Sequence, residues 1–555
     1  MITRGAVFAL FLGAVSAQNC PILAPAYPPL TELNTATSAD LKAVAAKFEK
    51  ALLCDPRINL TTTFFATEIY SPMSNKAFFT HYNTPPLNQS TLDVGPDTLF
   101  RIFSISKAVA VYATLAKIGD KYWDEPITKF IPELPSSPPD DTIRRPNWSE
   151  ITLGALVDHL SGISREYALT DASTQYPQVD GLRKLNDSQI VRCGSSPWPA
   201  CTREESFHYM LQPYPLTMPF RTPNYNNAAF QLLGYAVENI TGMPFPDIVT
   251  ETLVTPLNLS RTFLTKPPAS ESTNAVILEP LWSLDMGDEA PAAGYYQSVT
   301  DLTTLGRSIL NSTFLPPATT RQWLKPITHT SSLYTSIGRP WEILRTPVES
   351  PLGSNKTRIV DIYTKFGGGD GYTSLIGLSP DHDFGISILT AGPVSSAATR
   401  AIQDLFQKIW IPEVEEISRQ RALENFVGTY TFAGENTTAE ITLLEGEPAL
   451  FMPTLISNGT DIMTLAVAVR NPSFSGPVPK MWFYPTGLVE GNRMSFRAVR
   501  GVPGVPVEVD CGTWAEIDRF RFGNTPLDLV IFELGEDGKA VKMEVPIIGK
   551  TLVRE

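Results

Sequence analysis

Apolar positions follow two rhythms along this chain, one of period three to four and one alternating or continuous, and the boundary between them falls late in the sequence. Ile105, Val109, Tyr112 and Leu115 share one helical face, and Gly119-Asp120 supplies the stop of that helix. Further helices are expected over 43–53, 228–238 and 397–410. Strand-like runs at 61–69 and 77–82 precede the first of the long apolar helices, and 366–391 reads as two strands joined by the turn Ser379-Pro380-Asp381-His382-Asp383. Pro-rich stretches at 132–146 and 213–223 read as surface connections. Near Gln420 the rhythm changes. The runs 426–432, 439–444, 463–469, 481–484, 494–499, 529–534 and 541–547 are short, β-rich and separated by Gly, Pro, Asn and Asp, which predicts an all-β module of barrel or sandwich type.

At 555 residues the chain exceeds what one hydrophobic core serves, so more than one domain is expected. A net charge of −13 with no basic cluster argues against nucleic acid as a partner, because phosphate binding needs a basic surface. Arg4 followed by the apolar run 5–13 and the small residues Ala14-Val15-Ser16-Ala17 reads as a secretory signal peptide cut after Ala17. That run is too short to span a bilayer, and no later stretch is long enough, so a secreted mature protein with no membrane span is expected. Ten Asn-x-Ser/Thr sequons agree with secretion and are expected to carry glycans, at Asn59, Asn88, Asn147, Asn186, Asn239, Asn258, Asn311, Asn355, Asn436 and Asn458. In an oxidising compartment cysteines pair. Cys193 with Cys201, across a short loop, is the first expected disulfide, Cys20 with Cys54 is the second, and Cys511 is left over. No C-x-x-C occurs, so a zinc site is not expected.

Three segments carry candidate chemistry. Ser104-Ile105-Ser106-Lys107 places a hydroxyl and an amine at i and i+3 of a helix start, within hydrogen-bond reach, and a lysine disfavoured as a cation can take the serine proton. Tyr225-Asn226-Asn227 enters the helix expected over 228–238, where a phenolate held by nearby lysines can act as a base and Asn227 can bind both Lys107 and a substrate amide. Lys365-Phe366-Gly367-Gly368 puts a cation beside an unobstructed strand edge, able to complete an oxyanion hole with the Ser104 amide. A Gly-x-Ser-x-Gly elbow and a phosphate-binding glycine loop are both missing, and His159 reads as a packed histidine, so a Ser-His-Asp mechanism has no support.

In this order and spacing the three segments resemble the S-x-x-K, Y-x-N and K-T-G (or H-x-G) motifs of the serine β-lactamase and penicillin-binding-protein superfamily, in its class C β-lactamase, D,D-peptidase and esterase branch. Residues 151–162 also look like the helix and turn between the first two motifs. The resemblance, over roughly 40–410, implies an α+β fold: an antiparallel sheet flanked by helices, with a helical subdomain and the site between them. The all-β part, opening at Phe426-Val427-Gly428-Thr429-Tyr430, resembles the lipocalin-like appendage of some secreted fungal β-lactamase-like proteins. The implied domains are a signal peptide at 1–17, a catalytic domain at 18–415 and an all-β domain at 421–555. By the resemblance Ser104 is acylated and Lys107 and Tyr225 share its proton. Asn227 orients, Lys365 binds or polarises, and the oxyanion site is formed at Gly367 and Gly368 with the Ser104 amide. Phe366 replaces a hydroxyl that helps bind a β-lactam carboxylate. The expected reaction is therefore hydrolysis, without a cofactor, of a small-molecule or peptide carbonyl substrate: an ester, amide, lactone or β-lactam-like compound. Acyl transfer or D-amino-acid peptidase activity through the same acyl-serine is the nearest alternative. A non-catalytic secreted binding protein of the same fold is the other, and the retention of Ser104, Lys107, Tyr225 and Lys365 argues against it.

Overall fold

The computed structural model describes residues 21–31, 38–86, 92–354, 357–447, 449–470, 473, 478–501, 513–515 and 517–555. The expected signal peptide, Cys20, Cys511, Asn88 and Asn355 lie outside them. Two compact units result, one from 38–346 with 361–410, the other from the described parts of 1–37, 347–360 and 411–555.

The first unit is organised on an eight-stranded sheet of β1 (Phe64–Tyr70), β2 (Phe79–Asn83), β3 (Thr328–His329), β4 (Thr335–Ile337), β5 (Glu342–Glu349), β6 (Thr357–Gly369), β7 (Tyr372–Ser379) and β8 (Phe384–Ala391). Their order across the sheet is β2-β1-β8-β7-β6-β5-β4-β3. β1, β7 and β8 are buried at every position, as expected of strands covered on both faces. Side-chain alternation along β1 assigns those faces. Tyr70 points one way and fills the space left by Gly306 of the helix Val299–Leu310 and by Gly385 of β8. Ile69 points the other way beside its cross-strand partner Phe79, which packs edge-on at 4.9 Å against Phe48 of the helix Ser38–Cys54. The strand pair expected at 366–391 is thus part of a larger sheet. The expected helix at 397–410 begins at Ser395 and ends in a wider turn, Phe406–Trp410.

The second unit contains an eight-stranded antiparallel barrel in which each strand pairs with the next along the chain. The barrel runs from Gly428–Thr431 through Thr438–Leu443, Leu450–Met452, Lys480–Glu490, Arg493–Gly501, Leu529–Leu534 and Ala540–Val545 to Lys550–Arg554. It closes where Tyr430 and Thr431 pair with Arg554 and Val553. Phe426, Phe496 and Phe532 fill its interior with ring centroids 5.0 to 5.2 Å apart. The run at 463–469, expected as a strand, is instead the helix Ile462–Arg470. Asp461 caps it by accepting the N–H groups of Met463 and Thr464, and Met463 and Ala466 are buried while Leu465 and Val469 are exposed, a helical face that alternation does not explain. A buried ion pair joins the three stretches of this unit: Arg358 donates to both oxygens of Glu415 at 2.6 and 2.7 Å and to the Ala24 carbonyl at 3.2 Å.

Candidate active site

Ser104 lies in a tight turn, Phe103–Ile105, immediately before the helix Ser106–Ile118, rather than within the helix itself. The turn is held from several directions. Ser106 donates to the Phe103 carbonyl at 2.6 Å and accepts the Tyr295 N–H at 3.2 Å, and Ser374 of β7 donates to the Ile102 carbonyl at 2.6 Å. Phe103 carries a positive φ of 44°, unusual for a residue with a side chain, and its ring occupies the space over Gly369 where a Cβ would collide. A strained residue one position before the serine, pinned through its neighbours, fixes where the hydroxyl points.

Lys107, the second residue of that helix, is wholly buried. Its Nζ has three oxygen partners: Ser104 Oγ at 3.1 Å, Asn227 Oδ1 at 2.7 Å and the Ala292 carbonyl at 2.7 Å. The last two can only accept, so they claim two N–H bonds, and the third position of the nitrogen faces the serine hydroxyl. Burial, with help from Lys365, lowers the pKa of this amine, although Tyr225 and Glu289 oppose the shift. A neutral amine there would turn its lone pair toward the Ser104 proton.

Tyr225 and Asn227 enter the helix Ala228–Thr241. Between them Asn226 fixes the loop: it donates to the Ile163 and Ser164 carbonyls at 3.1 and 2.7 Å and accepts the Ala229 N–H at 2.7 Å. Its own N–H donates to His159 Nδ1 at 3.1 Å, and the His159 ring stacks on Tyr225 at 4.7 Å. Burial and the nearby Lys365, Lys107 and Arg165 push the His159 pKa well below its usual range. The imidazole is a neutral, packed support for the tyrosine. Burial would raise the Tyr225 pKa, but the charges of Lys107 and Lys365 outweigh it and lower the phenol to about 8. The two amines lie 4.8 and 5.0 Å from the centre of its ring.

Lys365 comes from β6 and is fully buried. It donates to Glu342 Oε1 at 2.6 Å, and Glu342 Oε2 accepts the Phe366 N–H at 3.1 Å, so one carboxylate holds both the lysine and the strand beside it. Burial works against the Lys365 charge, yet Glu342 and Tyr225 together keep its pKa above the ordinary lysine value. Two lysines with opposite shifts flank one tyrosine, Lys365 held toward its charged form and Lys107 moved toward its neutral one. Gly367 pairs with Ser374 and Gly368 with Thr373. A Cβ on Gly367 would fall 2.2 Å from the Ile102 carbonyl and 3.0 Å from the Ser104 nitrogen, so this strand edge lies directly against the serine turn. The Phe366 ring lies under the guanidinium of Arg400, with the cation 5.2 Å from its centre.

The structure therefore gathers Ser104, Lys107, Tyr225, Asn227, Lys365 and Gly367 around one point. Sequence reasoning missed Ala292, Glu342, Glu166 and Ser374. Ser374 lies a few residues past Lys365-Phe366-Gly367-Gly368, whereas the other three reach the site only through long-range packing. Cys193 and Cys201 form the expected disulfide. Among the described residues Cys54 has no disulfide partner, its expected partner Cys20 lying outside them. No helix among the described residues is long and apolar enough to cross a membrane.

The fold and the constellation are those of a serine hydrolase. A family profile described as Beta-lactamase matches residues 79–407, and the chain belongs to that family. It is a serine hydrolase of the β-lactamase-like kind. A second profile, described as "Beta-lactamase-like-like, C-terminal domain", matches 418–555. Among relatives, a "Beta-lactamase-like protein" of Arthroderma benhamiae is 28% identical over 90% of this chain and 89% of its own length. A "Probable hydrolase M10" of a Phoma species is 26% identical over 83% of this chain and 77% of its own. A "D-alanyl-D-alanine-carboxypeptidase/endopeptidase AmpH" of Escherichia coli is 22% identical over 54% of this chain and 72% of its own.

Proposed function

We propose that this hydrolase works through an acyl-enzyme on Ser104 and acts on an ester, amide or lactone. The observation that carries the reading is the pair of fixed acceptors on Lys107, which leaves its third nitrogen position for the Ser104 hydroxyl. Ser104 Oγ attacks the substrate carbonyl and its proton passes to Lys107 or to the Tyr225 phenolate. The oxyanion forms against the amides of Ser104 and Gly368, with Lys365 as the fixed cation nearby. Collapse expels the alcohol or amine, which takes the proton back from whichever of Lys107 and Tyr225 received it. Water, deprotonated by the same phenolate, then attacks the acyl-serine and restores the hydroxyl. Phe366, its ring occupied by Arg400, offers no hydroxyl to a β-lactam carboxylate, which supports simpler acyl substrates over antibiotics. The name of the Escherichia coli relative supports a second reading, a peptidase acting on D-amino-acid amides by the same steps.

The protein is further read as a secreted glycoprotein. The leader at 1–17 supports this, as do the eight sequons among the described residues, seven with an exposed asparagine and Asn147 half-buried. The barrel is read as lipocalin-like in its strand order only, because eight up-and-down strands are what lipocalins share and the lumen here is filled by phenylalanines. One experiment tests the core of the reading. The protein recovered from culture medium is treated with a fluorophosphonate probe and its mass is measured intact, after deglycosylation and as peptides. A single adduct on the Ser104 peptide, lost in Ser104→Ala, is expected. No adduct on folded protein would defeat the acyl-enzyme, and an unchanged mass on deglycosylation would defeat the glycoprotein.

A further inference from the structure

Behind Asn227 lie two glutamates that the proposed reaction does not use. Glu166 is buried, and both of its oxygens accept N–H groups: Oε1 from the Tyr167 backbone at 3.0 Å and Oε2 from Asn227 Nδ2 at 3.1 Å. Glu289 is 4% exposed, and its Oε1 has no hydrogen-bond partner. Its carboxyl meets that of Glu166, and burial followed by the Glu166 charge pushes its pKa well above the carboxylate range. Both causes favour the proton-bearing form of Glu289, in which it can donate to Glu166. The charged and titratable groups facing the pair are Lys107 from the nucleophile helix and Tyr167 beside Glu166, while the neighbouring Asp288 is engaged by the Tyr235 hydroxyl at 2.7 Å.

An asparagine amide has a donor end and an acceptor end of nearly equal shape, and something must choose between its two orientations. Both Glu166 oxygens accept N–H groups, and the one that accepts from Asn227 Nδ2 turns Oδ1 to Lys107. Glu289 also opens the turn Ala290–Ala293, whose Ala292 carbonyl is the other fixed acceptor of Lys107. Both acceptors that leave the third position of Lys107 facing Ser104 are therefore set from this pair.

We propose that Glu166 and Glu289, joined carboxyl to carboxyl behind Asn227, are positioning residues that fix the Asn227 amide and, through it, the Lys107 amine toward Ser104. This rests on Ser104 being the acylated residue. In Glu166→Gln the new amide cannot accept from both Tyr167 and Asn227, so Asn227 loses its defined orientation. Glu289→Gln keeps a neutral donor in the same shape, whereas Glu289→Leu removes it.

The test compares the rate of fluorophosphonate labelling and the turnover of p-nitrophenyl acetate in the four proteins, with thermal unfolding as the check on folding. Glu166→Gln and Glu289→Leu are expected to lower the labelling rate and kcat by about tenfold or more with KM nearly unchanged, as misplacement of a reacting group does. Glu289→Gln is expected to stay near the wild type. Equal labelling in Glu289→Leu and Glu289→Gln, or a loss confined to KM, overturns the proposal. If Glu166→Gln does not fold, the two Glu289 variants decide alone. Failure of the wild type to label at Ser104 overturns the acyl-enzyme reading instead, so the two failures are distinguishable.

Discussion

At the scale of single residues, the site depends on two amines and one phenol whose ionisation is set by neighbours rather than by their own chemistry. The Tyr225 phenol, lowered to about 8 by Lys107 and Lys365, gains its charge as pH rises, so a base role predicts that kcat/KM climbs with pH through a limb near that value and falls below it. Tyr225→Phe should abolish the limb and lower kcat/KM by about 10²- to 10⁴-fold. A wild-type profile flat across that range would rule the phenolate out as the base. Ser104, Lys107, Tyr225, Asn227 and Lys365 were legible in the sequence because each belongs to a short motif whose spacing is local. Glu342 was not, since it meets Lys365 across 23 positions of chain, and Glu166 and Glu289 come together from distant parts of the sequence. Pairings of that kind exist only after the fold has formed.

Elements explain why those residues meet. β6 lies so close to the serine turn that Gly367 has no room for even a methyl group, which would stand 2.2 Å from the Ile102 carbonyl and 2.4 Å from Ser374 Oγ. Gly367→Ala must therefore move either the strand or the turn, and a displacement of that order should lower kcat/KM by about 10²-fold while the protein still unfolds cooperatively. Kinetics together with a thermal melt would check this, and an active alanine variant would show that the turn can yield. The strands β1, β2, β7 and β8 were visible as apolar runs. β5 and most of β6 were not, since the exposed and half-buried positions of β5 break its pattern. The helix Ile462–Arg470 misled for the opposite reason: its run of apolar and β-branched residues satisfies a strand, and only the cap at Asp461 and the burial of Met463 and Ala466 distinguish the helix.

For the molecule as a whole, the change of rhythm near Gln420 correctly marked an all-β region, but the closing strand Lys550–Arg554 went unread because only Leu552 turns fully inward. That strand pairs with Ala540–Val545 on one side and Gly428–Thr431 on the other. Leu552→Asp would bury a carboxylate without a partner, at a cost on the order of 3–5 kcal/mol. The expected result is a lower unfolding temperature and faster deuterium uptake at 428–431 and 540–545, and unchanged exchange in those strands would contradict the closure. The Arg358 bridge to Glu415 and Ala24 has a consequence for how such proteins can diversify. Family profiles see two successive blocks, yet the barrel unit also draws on 347–360 and on the stretch before residue 38. A recombination event near residue 411 would hand a new barrel an old arginine and an old carbonyl, leaving the incoming glutamate to find both by chance. Chimeras between relatives should therefore tolerate that junction only when all three inherited pieces come from one parent.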